Sequence, residues 1–180
     1  MAEASPRLKA RIAGAFYLLT FVAGGFAAFA GGRPEGYRDA ANLIATAGYV
    51  AVTLLFYGLF KPVSKGLSLL AMLVGLLGCA VGALTSLHVS IVPINALVFF
   101  GIYCLLIGYL IIQSRFLPSL LGVLLAIGGL GWLTFASPAL AHQLSPYNMA
   151  PGMIGEGALM LWLLIVGLNA QRWQEQAGGQ

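Results

Sequence analysis

Six long apolar runs separated by short polar turns constrain this chain more than any other feature of its 180 residues. The runs cover about 12–30, 40–60, 67–87, 93–113, 118–135 and 150–169. Each is near the roughly 20 residues that a helix needs to cross the hydrocarbon of a bilayer. A water-soluble fold could not close over them: 60% of the residues are hydrophobic and 8% are charged, against about a quarter charged in an ordinary soluble domain. Lipid therefore has to cover the outside. The expected fold is all-α, a polytopic transmembrane bundle of about six helices in a single domain spanning residues 1–180.

The interruptions between runs carry turn chemistry. Gly31, Gly32 and Pro34 end the first run, and Asp39 is placed to cap the second. Lys61 to Gly66 form a tight polar turn, and His88 to Val92 reverse the chain before Pro93, which suits the first turn of the fourth helix. Gln113 to Pro118 make the next turn, and the longest polar interruption runs from Ser137 to Pro151. The basic start, apolar run and Ala28 to Ala30 imitate a secretory signal. The run is longer than a signal core and is followed by further spans, so it reads as the first span.

Basic residues set the expected orientation, because cytoplasmic loops hold the excess of Lys and Arg. With the N-terminus inside, Arg7, Lys9, Arg11, Lys61, Lys65, Arg115 and Arg172 are cytoplasmic, while Arg33 and Arg38 lie outside. Six spans return the C-terminus to the cytoplasm, and the inner (plasma) membrane is the expected location. The formal net charge of +4 comes from these short flanks rather than from a basic stripe or tail, so no nucleic-acid partner is expected. Membrane lipid is. Cys79 and Cys104 fall inside apolar runs and read as small hydrophobes rather than a disulfide. At an offset of 51 residues the Ser68–Leu70 string recurs at Ser119–Leu121, but leucine-rich helices produce such matches by chance.

Glu156 is the acidic side chain embedded in a span. An ionised carboxylate there costs about 2.5 to 3.5 kcal/mol even on insertion scales, so it should face the bundle interior and find a partner. Two readings stand beside each other: a ligand or proton site, and structural glue through hydrogen bonds or a pair with Arg33 or Arg38. His88, Ser90, Asn95, His142, Tyr147, Asn148 and Asn42 fall at the same predicted side, which suits a vestibule open to the outer leaflet. The candidate ligand-binding residues are Glu156, His88, Asn95, Asn42 and Asn148, and no cofactor is indicated.

His88 and His142 with Glu156 could hold a metal or haem, but HExxH, CxxC and a histidine pair at helical spacing are all missing. Exposed loop histidines are the plainer reading. Ser86 near His88 lacks an acid in register and GxSxG is missing, which leaves little for a hydrolase. Gly78-x-x-x-Gly82, Gly128-Gly129-x-Gly131 and Gly155-Glu156-Gly157 suit close helix packing. The last pair also leaves space beside the carboxyl for a water, a ligand or another helix. Trp173 and Tyr147 suit interface anchoring, whereas Trp132 and Trp162 lie deeper and read as packing.

Four strings carry a family resemblance: Arg11 to Phe21, Leu59 to Ala71, Gly101 to Leu133 and Gly155 to Asn169. The third, a helix running through Ser-x-Phe-Leu-Pro into a Gly-rich helix, is the most specific. On these the chain resembles the bacterial membrane proteins of the domain of unknown function 4386 family. The resemblance implies a six-helix bundle, an acid in the last span and no established reaction. Relatives resemble one another in an Arg within the third helix and a longer segment after it, where this chain has Gly75 to Gly78 and a short turn at His88. If that Arg pairs with the acid elsewhere in the family, Glu156 needs another partner here.

The leading expectation is a non-enzymatic bundle that binds or moves a small or lipophilic molecule through an outer-leaflet polar pocket anchored on Glu156. The alternative is a structural or accessory subunit, using its Gly-rich faces against a membrane protein partner or a second copy. An intramembrane metal- or haem-dependent enzyme is the third.

Overall fold

The computed structural model describes residues 5–29, 34–89 and 94–179. These residues form eight α-helices and no strand. The helices are α1 (Pro6–Phe29), α2 (Glu35–Phe60), α3 (Lys65–Ser86), α4 (Ala96–Gln113), α5 (Ser119–Leu133), α6 (Pro138–Leu144), α7 (Ala150–Ile165) and α8 (Ala170–Gly178). Six are long and apolar enough to cross a membrane once short 3-10 turns extend α5 and α7. No more than 39% of any span's apolar window is buried, so most of this apolar surface faces outward. The chain is an all-α, multi-pass membrane protein.

The spans pack in sequence order as a closed ring: α1 on α2, α2 on α3, α3 on α4, α4 on α5, α5 on α7, and α7 back on α1. An aromatic column fills the ring. Phe100 packs on Tyr49 at 4.7 Å between centroids, Tyr49 on Tyr17 at 5.6 Å, Tyr17 on Phe56 at 6.1 Å, and Phe56 on Phe60 at 5.6 Å. Most of these pairs are edge to face, the arrangement that the ring quadrupoles favour. Ile107, Leu125, Leu159 and Leu163 close the remaining space and are buried.

Glycine lets α4 and α5 approach at the level of the backbone. A Cβ on Gly108 would come within 2.7 Å of the Gly122 carbonyl oxygen, and one on Gly129 within 2.7 Å of the Gly101 carbonyl oxygen. The two contacts lie one heptad apart on each helix, so the seam runs straight along an antiparallel pair. Gly155 holds α7 against the backbone of Leu124 and Leu125 on α5 in the same way.

Helix ends depart from the sequence expectation for identifiable reasons. Asp39 does not cap α2, because the helix begins after Pro34, whose fixed geometry starts it earlier. Ser64 caps α3 by accepting from the Leu67 N–H, and Asn95 caps α4 by accepting from the Leu97 N–H at 3.0 Å. Pro93 lies outside the described residues. The sixth span stops at Ile165 rather than near 169, because Gly167 at φ 77° ends it in the left-handed region. Asn169 then caps a new helix, α8, by accepting from the Arg172 N–H. The interruption from Ser137 to Pro151 is mostly helical too, since Ser137 caps the short α6.

Candidate functional site

Glu156 on α7 lies inside the ring, 6% exposed. Its partners among the described residues are neutral donors. Tyr17 Oη on α1 donates to Oε2 at 2.7 Å, Tyr49 Oη on α2 donates to Oε2 at 3.3 Å, and Trp132 Nε1 on α5 donates to Oε1 at 2.6 Å. Of the two forms of structural glue anticipated, hydrogen bonds form and the pair with Arg38 does not, because Arg38 sits in the exposed first turns of α2. Arg33 lies outside the described residues. The carboxyl thus joins four of the six spans through three hydrogen bonds, and the fully buried Cys104 of α4 lines the same interior.

Backbone packing sets this geometry. Gly152 lies under the Trp132 indole, where any Cβ would collide with Cε2 and Cζ2. Gly155 brings α7 onto α5, so the indole and the carboxyl reach each other across one helix interface. Gly157 faces Phe21 at 3.8 Å with ordinary van der Waals room. The space beside the carboxyl anticipated from the paired glycines is therefore taken on the Gly155 side by the α5 backbone.

Two hydroxyls beside this cluster are unmatched. Thr53 Oγ1 and Tyr103 Oη are buried and complete no well-aligned hydrogen bond among the described residues, while the Thr53 side chain and the edge of the Tyr103 ring pack against Gly75. Gly75 opens the Gly75 to Gly78 string where the family resemblance anticipates an Arg in relatives, and here the neighbouring space is filled by the Thr53 and Tyr103 side chains.

A cavity of about 450 Å³ opens above the cluster, between the end of α1, the start of α2, the end of α3 and the start of α4. Thr20, Asn42, Thr46, Tyr49, Ser86, Asn95 and Phe100 line it, among others. Tyr49 connects the two regions, since it lines the cavity and donates to Glu156. Several wall hydroxyls spend their proton on a backbone carbonyl: Thr46 on Asn42 at 2.8 Å, Ser86 on Gly82 at 3.0 Å, and Thr20 on Phe16 at 3.1 Å. Their oxygen lone pairs stay available as acceptors. The Asn42 and Asn95 amide N–H groups are the complementary donors, and neither has a hydrogen-bond partner among the described residues.

The sequence candidates therefore separate. Asn42 and Asn95 line the cavity, and Glu156 lies beneath it behind Tyr49. His88 does not line it. It occupies the left-handed residue that ends α3, at φ 58°, where the Val89 N–H bonds the Leu84 carbonyl and the His88 N–H bonds the Thr85 carbonyl. Its imidazole Nε2 lies 3.1 Å from Asp39 Oδ2 and so ties α3 to α2. Asn148 sits on the far side of the ring, where its amide donates to Thr134 at 2.9 Å. His142 and Tyr147 are exposed around α6, and Ser90 lies outside the described residues. Among the described residues no three His, Cys, Asp or Glu side chains come together as metal ligands.

Tyr17, Tyr49 and Trp132 were not singled out as site residues by the sequence reading. A signal was present: a phenol or indole in mid-span needs a hydrogen-bond partner, and the embedded acid was the natural one.

Comparison with known proteins bears on the family and not on the chemistry. The model of the Domain of unknown function (DUF4386) matches residues 94–167, from α4 to the end of α7. An uncharacterised protein of Archaeoglobus fulgidus is 34% identical over 128 residues, covering 66% of this chain and 76% of that protein. No solved structure matches. On that match and that relative, the chain belongs to the DUF4386 family.

Proposed function

We propose that this protein sits in the plasma membrane with both termini in the cytoplasm and binds, or passes, a small uncharged molecule in the outer half of the bundle. The observation that carries this reading is the cavity of about 450 Å³ with Tyr49 at its floor. Its wall combines amide donors from Asn42 and Asn95 with hydroxyl acceptors from Thr20, Thr46 and Ser86, and among the described residues its lining includes no charged side chain. Such a surface pairs with a ligand that both donates and accepts hydrogen bonds and has enough apolar area to lie against Phe100 and Ile94. Glu156 acts here as the anchor that fixes the Tyr49 hydroxyl, rather than as a group touching the ligand.

Gly82 gives the test. Gly82 lines the cavity, and a Cβ there would meet Ala96 at 3.7 Å and Thr46 at 3.9 Å, both ordinary contacts, so Leu at this position should fill cavity space at little cost to helix packing. Native mass spectrometry of protein extracted in mild detergent should find a co-purifying small molecule on the wild type and not on Gly82→Leu, at similar thermal stability. Equal retention by both proteins removes the cavity from the function.

A further inference from the structure

A second cavity, of about 590 Å³, lies at the opposite end of the bundle. Arg7, Arg115 and Arg172 line it together with Trp162, Pro118 and Gly167. These residues come from the start of α1, the α4–α5 turn, the end of α7 and the start of α8. Among the described residues no acidic side chain lines it, and none of the three guanidinium groups has a carboxylate partner. Arg172 Nη1 donates to the Arg115 carbonyl at 3.3 Å, and Arg11 Nη2 donates to the Ile165 carbonyl at 3.0 Å. Two basic side chains thereby tie α8 and α7 to their neighbours, while Arg7 and Arg115 remain to meet a ligand.

Three helices also begin at this rim: α1 at Pro6, α5 at Ser119 and α8 at Ala170. Their first N–H groups add positive potential to that of the arginines, opposed by the C-terminal dipole ends of α4 and α7 at the same rim. The α5 terminus has Pro118 as its cap residue and no side-chain acceptor. The site stands where spans end, which is the depth of lipid headgroups. Beyond the rim the surface is apolar and exposed, with Leu8, Ile12, Leu120 and Ile165 outward. A soluble anion would use the arginines alone. A lipid would use both, its phosphate on the arginines and its chains along the apolar residues.

We propose that this cavity is a binding site for the headgroup phosphate of an anionic phospholipid, held by Arg7 and Arg115 across the ends of α1 and α5. On the orientation given above, this is the cytoplasmic leaflet. The proposal stands apart from the outer cavity and does not need it.

Delipidated protein in a neutral detergent is titrated with phosphatidylglycerol, with phosphatidylcholine and with inorganic phosphate, and bound lipid is read by native mass spectrometry beside thermal unfolding. The wild type should prefer phosphatidylglycerol over phosphatidylcholine by about tenfold or more, the scale set by two surface arginines. The double variant Arg7→Gln/Arg115→Gln should lose that preference. Lys61→Gln/Lys65→Gln, which removes two positive charges at the same end outside the cavity, should keep it. The proposal is overturned by no preference in the wild type, by a preference that persists in the arginine double variant, or by an equal loss in the lysine double variant. A thermal shift with inorganic phosphate that matches phosphatidylglycerol also overturns it, since the site would then serve a free anion.

Discussion

Replacing Glu156 with Gln and with Leu separates a hydrogen-bonded anchor from a site that needs an acid. The indole N–H of Trp132 can only donate, so a Gln side chain would turn its carbonyl oxygen toward Trp132. Its NH2 would then face Tyr17 and Tyr49, whose hydroxyls can rotate to accept. All three contacts survive in that arrangement. Leu has a similar volume and accepts nothing, leaving three buried donors unmatched. Hydrogen bonds between helices within a membrane are worth about 0.6 kcal/mol on average and up to about 1.7 kcal/mol. Three of them place the cost of Glu156→Leu at about 2 to 5 kcal/mol and that of Glu156→Gln within about 1 kcal/mol. Equilibrium unfolding in mixed detergent micelles measures both. If Leu is as stable as the wild type, the three hydrogen bonds do not hold the bundle together. If Gln falls as far as Leu, the ionisable acid itself is required and the exchange of partners described above is wrong.

Four further outcomes follow from the packing and the proposed orientation. Gly108→Ala should destabilise by about 1 to 3 kcal/mol through overpacking against the Gly122 carbonyl, whereas Gly24→Ala, with nothing within 4 Å, should be neutral or stabilise by about 0.5 to 1 kcal/mol; chemical denaturation of the pair checks both. Gly152→Ala should push the Trp132 indole off Glu156, seen as a changed tryptophan emission spectrum and a lower melting temperature. Asp39→Asn should cost no more than about 1 kcal/mol, because the His88–Asp39 contact is at the surface; a larger loss in thermal unfolding would contradict that assignment. In spheroplasts, a membrane-impermeant maleimide should label Asn95→Cys and not Gly178→Cys, while the buried native Cys79 and Cys104 stay unlabelled; the reverse pattern inverts the orientation.

The spans and the embedded acid were legible because each obeys a one-dimensional rule. An apolar run of about 20 residues spans a bilayer, and Glu156 in such a run is costly wherever it sits. The partners of Glu156 were not legible in the same way, because Tyr17, Tyr49 and Trp132 come from three different helices, and their approach depends on glycines whose neighbours no local pattern names. The place of His88 was not legible for a related reason: its positive φ and its contact with Asp39 exist only once the chain is folded. Asn42 and Asn95 could be placed at one side of the bundle from topology alone. Asn148 could not be told from them, since the sequence gives the height of a residue in the membrane but not its bearing around the ring.

The straight glycine seam between α4 and α5 has a mechanical consequence. Two helices in contact at their main chains have no side-chain rotamers through which to slip, so they move together as a single stiff plate. The cavity beside Tyr49 is bounded on one side by that plate, through Asn95 and Phe100, and on the others by α1, α2 and α3. Gly48 brings α2 to the backbone of α1, whereas α3 meets its neighbours through side chains at Gly75 and Gly78. Any breathing that lets a molecule in or out should therefore be a displacement of α3 against a stationary α4 and α5, with the slowest amide hydrogen exchange in the plate.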